Sequence, residues 1–307
     1  MAMAGLLTLQ PVWSPAPAAA NSSRLNSNFF RGARISTSRP AANAGRKNQG
    51  TAGVHHRINV TAALPDALLF DCDGVLVDTE RDGHRVCFNK AFAEKGLGVH
   101  WSVDYFGTIL DIGIGKHRIT NYFNAIGWPP TIPASQREDV VSALHKRKTD
   151  LFIELVESGN LPLRPGVESL IDEALANNVR VAVCSTSLER AVTAIVHTML
   201  GSNRASAMKI FAGDIVPNKK PDPAIYNLAA ATLNVRPDRC VVIEDSRIGL
   251  RAAKGAGMKC IVTTSAYTEG EDFAIADAVF PCIGERPHQH FDLAFAGSLL
   301  RERDLVA

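Results

Sequence analysis

The chain has 307 residues, with 33 Lys or Arg against 31 Asp or Glu, a net charge of +2 and 46% hydrophobic residues. Nothing in it is apolar for long enough to span a membrane, and none of its six cysteines forms a Cys-x-x-Cys pair or a zinc-type spacing. A membrane-embedded protein and a zinc-stapled module are therefore excluded, and a reducing compartment is expected.

The charge is unevenly spread. Residues 1–65 contain no Asp or Glu, seven Lys or Arg and six Ser, and the first acid is Asp66. Arg-rich, Ser-rich and acid-free is the composition of an organelle transit peptide, and the Ala and Ser bias leans toward the plastid. The alternative is a basic tail that touches nucleic acid. Without this segment 26 basic residues face 31 acidic ones, a net charge of −5. A mildly acidic body lacks the basic face of a nucleic-acid protein, so no nucleic-acid partner is expected. An anionic substrate must then be met by local cations. About 240 residues remain, enough for a large α/β domain or a core with a smaller companion.

The first predicted strand, Ala67–Phe70, stops abruptly at Asp71 and Asp73, with Gly74 next. Bare carboxylates at the end of a buried strand are costly to keep ionised, so a cation is expected between them. Cys72, between the acids, reads as buried packing. From Asp78 to about Leu163 no strand is predicted. Helical patterns lie near His84–Lys95 and Gln136–Glu157, with the Gly113–Arg118 segment and the Trp128–Pro130 turn between them. This reads as an all-helical lid over the carboxyl ends of the strands, where open α/β sheets bind ligands. On its long helix, His145, Arg147 and Lys148 read as a solvated face.

Beyond the insert, strands are predicted at Arg180–Cys184, Lys209–Ala212, Cys240–Ile243, Lys259–Thr263 and Ala278–Phe280. Helices follow from apolar spacing at Val167–Leu175, Leu188–Met199 and Ile225–Leu233. Apolar strands alternating with helices indicate parallel βαβ units with both sheet faces covered.

Four strand ends carry unusual polar groups: Asp71 and Asp73, then Ser185-Thr186-Ser187, then Lys220 before Pro221, then Glu244-Asp245-Ser246. In a parallel sheet these ends open on one crevice. So dense a set of acids favours Mg²⁺, and the serine and lysine beside it suit a phosphate group. An EF-hand reading of Asp71–Asp78 fails. That loop needs a polar residue at its fifth position and Gly at its sixth, and the chain has Val75 and Leu76 there.

Taken in order, Asp71-x-Asp73-Gly74-Val75-Leu76, the strand-end Ser185, Lys220-Pro-Asp-Pro223 and Glu244-Asp245-Ser246-x-x-Gly249 resemble the haloacid dehalogenase (HAD) superfamily over about residues 66–284. More narrowly, Asp71–His84, Gly113–Arg118, Leu163–Val167 and Val183–Ser187 resemble the plant chloroplast CbbY-type proteins. Those are phosphatases of xylulose 1,5-bisphosphate, an inhibitor of Rubisco. Ile114 stands where that group is expected to have glycine. The resemblance implies an α/β fold, a Rossmann-like parallel core of HAD type at residues 66–79 and 164–307. A small all-helical cap at residues 80–163 is inserted after the first strand, and residues 1–65 form the transit peptide.

The resemblance also implies roles. Asp71 would be the nucleophile, forming an aspartyl phosphate, and Asp73 the general acid and base. Mg²⁺ would be held by Asp71, the Asp73 carbonyl and Asp245, with Glu244 a ligand or a supporting acceptor. Ser185 and Lys220 would grip the phosphoryl oxygens. Glu80, His84, Gly115, Lys116, Arg118, Arg164, Thr186 and Ser187 would bind the sugar phosphate, with Lys116, Arg118 and Arg164 as candidates for the second phosphate of a bisphosphate. The expected protein is a monomeric stromal enzyme with a small sugar-phosphate substrate. A sugar phosphomutase of the same superfamily and a non-catalytic binding protein on this fold are the rival readings.

Overall fold

A computed structural model of the protein describes residues 64–113 and 115–300, so the transit-like leader and Ile114 lie outside the described residues, Leu64 and Pro65 excepted. Six parallel strands form one sheet: β1 (Ala67–Phe70), β2 (Arg180–Cys184), β3 (Lys209–Phe211), β4 (Cys240–Glu244), β5 (Lys259–Thr263) and β6 (Ala278–Phe280). Their spatial order is β3-β2-β1-β4-β5-β6. The order reverses next to β1, which puts the crevice of a doubly wound sheet at its carboxyl end.

Register fixes what meets there. Phe70 pairs with Val183 on one side and Ile243 on the other. The next residues, Asp71, Cys184 and Glu244, therefore lie level, and the Asp71 N–H donates to the Ile243 carbonyl at 2.9 Å. Each strand face has its own core. Leu68, Phe70, Val181, Val183, Val241 and Ile243 pack with the helices α5 (Val167–Ala176) and α6 (Glu189–Met199). Ala67, Leu69, Ala182 and Val242 pack on the other face with α8 (Ala224–Leu233) and α9 (Arg247–Gly255). Burial on both faces is why these strands read as unbroken apolar runs.

Between β1 and α5 the chain is helical: a π-helical turn at Thr79–His84, then α1 (Arg85–Glu94), α2 (Val103–Thr108), α3 (Gly115–Ile126) and α4 (Arg137–Glu157). This insertion has a core of its own, built on Phe88, Phe92, Trp101, Phe106 and Phe123. Trp101 sits centrally, 4.9 Å from the Phe88 ring and 4.8 Å from Phe92. Its entry and exit strands touch, with Val77 bridged antiparallel to Leu163 and Arg164 N–H donating to Leu76 at 2.8 Å.

Some expectations need correcting. No helix is expected between the two helical stretches of the insertion, yet Gly115 opens α3 there and carries Lys116 and Arg118 onto a helix. The short helices α2, α7 (Gly201–Ala207) and α10 (Leu293–Ser298), and also α9, were not predicted. Among the described residues no helix is long and apolar enough to cross a membrane.

Candidate active site

Four loops at the carboxyl ends of β1, β2, β4 and β5, with the stretch after β3, close on a cavity of about 510 Å³ lined by Asp71, Asp73, Ser185, Lys220 and Asp245. Lys220 is its central cation. Its ammonium donates to Asp71 Oδ1 at 2.7 Å, Glu244 Oε1 at 2.7 Å and the Cys184 carbonyl at 2.8 Å. Burial would neutralise a lone lysine, but the Asp71 and Glu244 carboxylates outweigh that penalty and raise its pKa. Burial is the main cause that raises the Asp71 carboxyl, which settles at about 7. Lys220 pulls it down, and Glu244 and Asp73 push it further up. Burial, then Glu244 and Asp71, also raise Asp245 well above the carboxylate range.

One oxygen each of Asp71, Glu244 and Asp245 lie within 4.8 Å of one another. Clustered carboxylate oxygens are the donor set of a hard divalent cation. Two glycines make room for them. A Cβ on Gly74, which has φ +79°, would fall 1.9 Å from Asp245 Oδ2. A Cβ on Gly249 would fall 1.8 Å from Glu244 Oε1. Glu244 is completely buried and already accepts several bonds. Tyr226 donates its hydroxyl to Oε1 at 2.7 Å, and Asp245 N–H and the Ser246 hydroxyl reach Oε2 at 3.1 and 3.2 Å. Its lone pairs are largely spent on holding Lys220 and the β4 loop.

Asp73 points away from this cluster. Thr79 donates to its Oδ1 at 2.6 Å, and Ser187 and Ser185 donate to Oδ2 at 2.6 and 3.3 Å. The Ser187 N–H in turn donates to the Ser185 hydroxyl at 3.1 Å. Asp73 thus sits beside Asp71 with both oxygens held by hydroxyls, a geometry suited to proton transfer.

The insertion covers the mouth. Glu80 and His84 line the cavity, as do Thr186 and Ser187 from the β2 loop. Burial raises Glu80 despite the Arg118 guanidinium, 3.4 Å from its Oε2. His84 is buried against Phe152, with ring centroids 4.2 Å apart. Burial, with Lys148, Arg118 and His145 nearby, holds its imidazole well below the usual range and therefore neutral. The cavity continues past Asp73, His84, Thr186 and Ser187 into an adjoining crevice of about 440 Å³, whose wall includes Lys148.

Other candidates are not brought to the cavity. Lys116 is exposed and donates to Ser142 at 3.1 Å, and it lines a separate groove beside Trp128. Gly115 packs against His145 and Phe88. Arg118 sits behind Glu80, donates to the Leu110 carbonyl at 3.0 Å and lies over the Phe106 ring. Arg164 donates to backbone carbonyls of Gly74, Thr263, Thr264 and Pro281. Expected as a candidate for the second phosphate, the guanidinium instead has its donors taken up by these carbonyls and does not line the cavity. The solvated face of α4 is also corrected. Arg147 is half-buried and paired with Glu94 and Glu154, whereas Lys148 is buried, its ammonium near the Phe88 and Phe152 rings. Burial lowers its pKa to about 8, with Glu80 opposing.

Thr79 and Tyr226 were missed. Their signal was placement: Thr79 follows the acidic loop at the start of the insertion, and Tyr226 lies in the first turn of the helix after the Lys-Pro-Asp-Pro stretch.

The sequence profile of the haloacid dehalogenase-like hydrolases matches residues 65–257. A CBBY-like protein of Arabidopsis thaliana is 63% identical over 78% of this chain and 76% of its own length. The crystal structure of CbbY from Rhodobacter sphaeroides in complex with phosphate is 39% identical, with a TM-score of 0.56 over 72% of this chain and 96% of that one. A variant of the same protein in complex with xylulose 1,5-bisphosphate is 38% identical, also with a TM-score of 0.56 over 72% of this chain and 96% of that one. The profile covers β1 to β4 and the helical insertion between β1 and β2, and the relatives share most of both chains; this protein belongs to the haloacid dehalogenase-like hydrolases and, within them, to the CbbY-like enzymes.

Proposed function

We propose that this hydrolase is a Mg²⁺-dependent phosphatase of a sugar bisphosphate, with xylulose 1,5-bisphosphate as substrate and xylulose 5-phosphate as product. The carrying observation is the meeting of Asp71 with Lys220, Glu244 and Asp245 at one strand level, with Asp73 beside it held by hydroxyls. The related CbbY structure with xylulose 1,5-bisphosphate supports the substrate.

Asp71 attacks phosphorus through a carboxylate oxygen, forming a P–O bond to itself as the P–O bond to the sugar breaks. Asp73 delivers the proton that the leaving sugar oxygen takes up. It then accepts one from the water that attacks the aspartyl phosphate, releasing phosphate and restoring Asp71. Lys220 and Ser185 stabilise charge on the phosphoryl oxygens, the largest expected contribution to rate. Asp71, Asp245 and the Asp73 carbonyl would hold Mg²⁺, with Glu244 positioning Lys220 and the β4 loop. Bound Mg²⁺ supplies the charge that keeps Asp71 ionised at neutral pH and screens it from an incoming phosphate. The helical insertion acts as a cap, its Glu80 and neutral His84 facing the sugar. One chain supplies every group named, so the chemistry calls on no second subunit, in keeping with a monomer. The acid-free, Ser- and Arg-rich leader supports import into the plastid stroma, where the enzyme would protect Rubisco from an inhibitor.

Phosphate release from a panel of sugar mono- and bisphosphates with Mg²⁺ tests this. Xylulose 1,5-bisphosphate should be preferred over ribulose 1,5-bisphosphate, and Asp71→Asn should lower kcat by roughly 10³-fold or more. Isomerised monophosphate without phosphate release would establish a mutase instead. Undiminished activity in the Asn variant would overturn the mechanism.

A further inference from the structure

Arg164 is the basic side chain near the site whose work the proposed chemistry does not use. Its guanidinium is partly buried, and among the described residues it pairs with no carboxylate. All its bonds go to neutral oxygens. Nη1 donates to the Gly74 carbonyl and to Thr263 O at 3.0 Å, and Nη2 to Thr264 O at 2.6 Å and Pro281 O at 2.7 Å. Its own N–H donates to Leu76 O at 2.8 Å.

These acceptors are a particular set. Gly74 follows Asp73 and turns against Asp245, where a Cβ would collide with the carboxylate. Thr263 and Thr264 end β5, the strand paired beside β4, and Val262 lies opposite Glu244. Pro281 follows β6. The ends and following loops of three strands, β1, β5 and β6, therefore present four carbonyls to one place, and a planar fork of five N–H donors can take them together. Lysine, a point charge with three donors on a flexible stem, cannot reproduce that fork. Arg164 also begins the return from the helical insertion, one residue after the Val77–Leu163 bridge.

We propose that Arg164 is a positioning residue of the carboxylate cradle: it clamps the Gly74 turn to the end of β5, and so fixes the spacing of Asp71 and the Asp73 carbonyl from Asp245. The role rests on the proposed function for its metal, but it differs from a phosphate-binding role, since the guanidinium touches backbone and not the cavity. Burial lowers the Arg164 pKa, although the Asp78 and Asp245 carboxylates oppose it, which fits a cation whose direct partners are carbonyl dipoles.

The test is Mn²⁺ titration of the full chain without substrate, followed by electron paramagnetic resonance, alongside phosphate release at saturating Mg²⁺ and thermal melting. Arg164→Met should weaken Mn²⁺ binding about tenfold and lower kcat, with KM at saturating Mg²⁺ within twofold. Arg164→Lys should weaken Mn²⁺ binding less, but measurably, and it decides by the same criteria if the Met variant does not fold. Unchanged Mn²⁺ affinity in the folded variants, whether with a tenfold rise in KM or with only a lower melting temperature, would overturn the proposal. Wild-type protein that binds no Mn²⁺ and releases no phosphate would overturn the proposed function, and this inference with it.

Discussion

Lys220 neutralises two carboxylates that cannot both be tolerated without it. Its side chain is 4% exposed, against 12% for Asp71 and none for Glu244. Removing one partner of a buried ion pair leaves an uncompensated charge, typically at a cost of about 3–5 kcal/mol. Lys220→Met should therefore lose about that much stability at pH 8, as well as activity. The pH dependence has a definite sign. Asp71 is raised in the folded protein to about 7, from 3.8, and Lys220 is what restrains it. In the variant it rises further, so near pH 5 the folded protein holds a proton there that the unfolded chain binds less well, which relieves the penalty. Urea denaturation at pH 5 and pH 8 should show the smaller loss at pH 5; an equal loss would deny the coupling. The convergence of Asp71, Asp73, Ser185, Lys220 and Asp245 was legible because acids and a Lys-Pro pair interrupt apolar strands. The surroundings of Arg164 and Lys148 were not. A guanidinium bound by carbonyls from β5 and β6 has no local sequence mark, and Lys148 shares its helix spacing with exposed neighbours.

Strands read well at the scale of elements because burial on both faces leaves four or five apolar residues between polar ends. All six were placed to within one residue at each end by that signal, and β1, β2, β5 and β6 in full. Short helices read poorly. The helix α2 has six residues and one buried side chain, Phe106, too few to establish a period. Yet α2 carries the contact between the insertion and the loop after β5. A Cβ on Gly107 would lie 3.0 and 3.2 Å from the Tyr267 ring, and Tyr267 lines the cavity. Leucine there would favour the helix and overfill the contact, at a typical cost of about 1–3 kcal/mol. Gly107→Leu should hold the insertion away from the core and raise KM about tenfold, the kinetic equivalent of ~1.4 kcal/mol, with the fold retained by circular dichroism. Gly107→Ala needs the ring to give only a few tenths of an ångström and should change KM less. If the leucine variant matched wild type, α2 would not control access.

For the whole molecule, the cost of the carboxylate cluster is set against the stability of the fold. Asp71, Glu244 and Asp245 lie within reach of one cation, and Lys220 compensates only part of their charge. The body beyond residue 65 carries −5, so no general positive field makes up the remainder. A divalent cation that binds the folded chain and not the unfolded one adds RT ln(1 + [L]/Kd), about 2.7 kcal/mol at a hundredfold excess over Kd. For a domain of this size that corresponds to a rise in Tm of about 5–10 °C. Mg²⁺ should therefore raise the melting temperature of EDTA-treated protein with no substrate present. The response should be mostly lost in Asp245→Asn, which removes a carboxylate charge while keeping a side chain of similar size against Gly74. In Glu244→Gln the lysine loses part of its anchor, so resting stability should fall, yet some Mg²⁺ response should persist if Glu244 supports the site without ligating. A Glu244→Gln variant as unresponsive as Asp245→Asn would move Glu244 into the ligand set. A wild-type protein indifferent to Mg²⁺ would mean that the cluster is balanced by Lys220 and protonation alone.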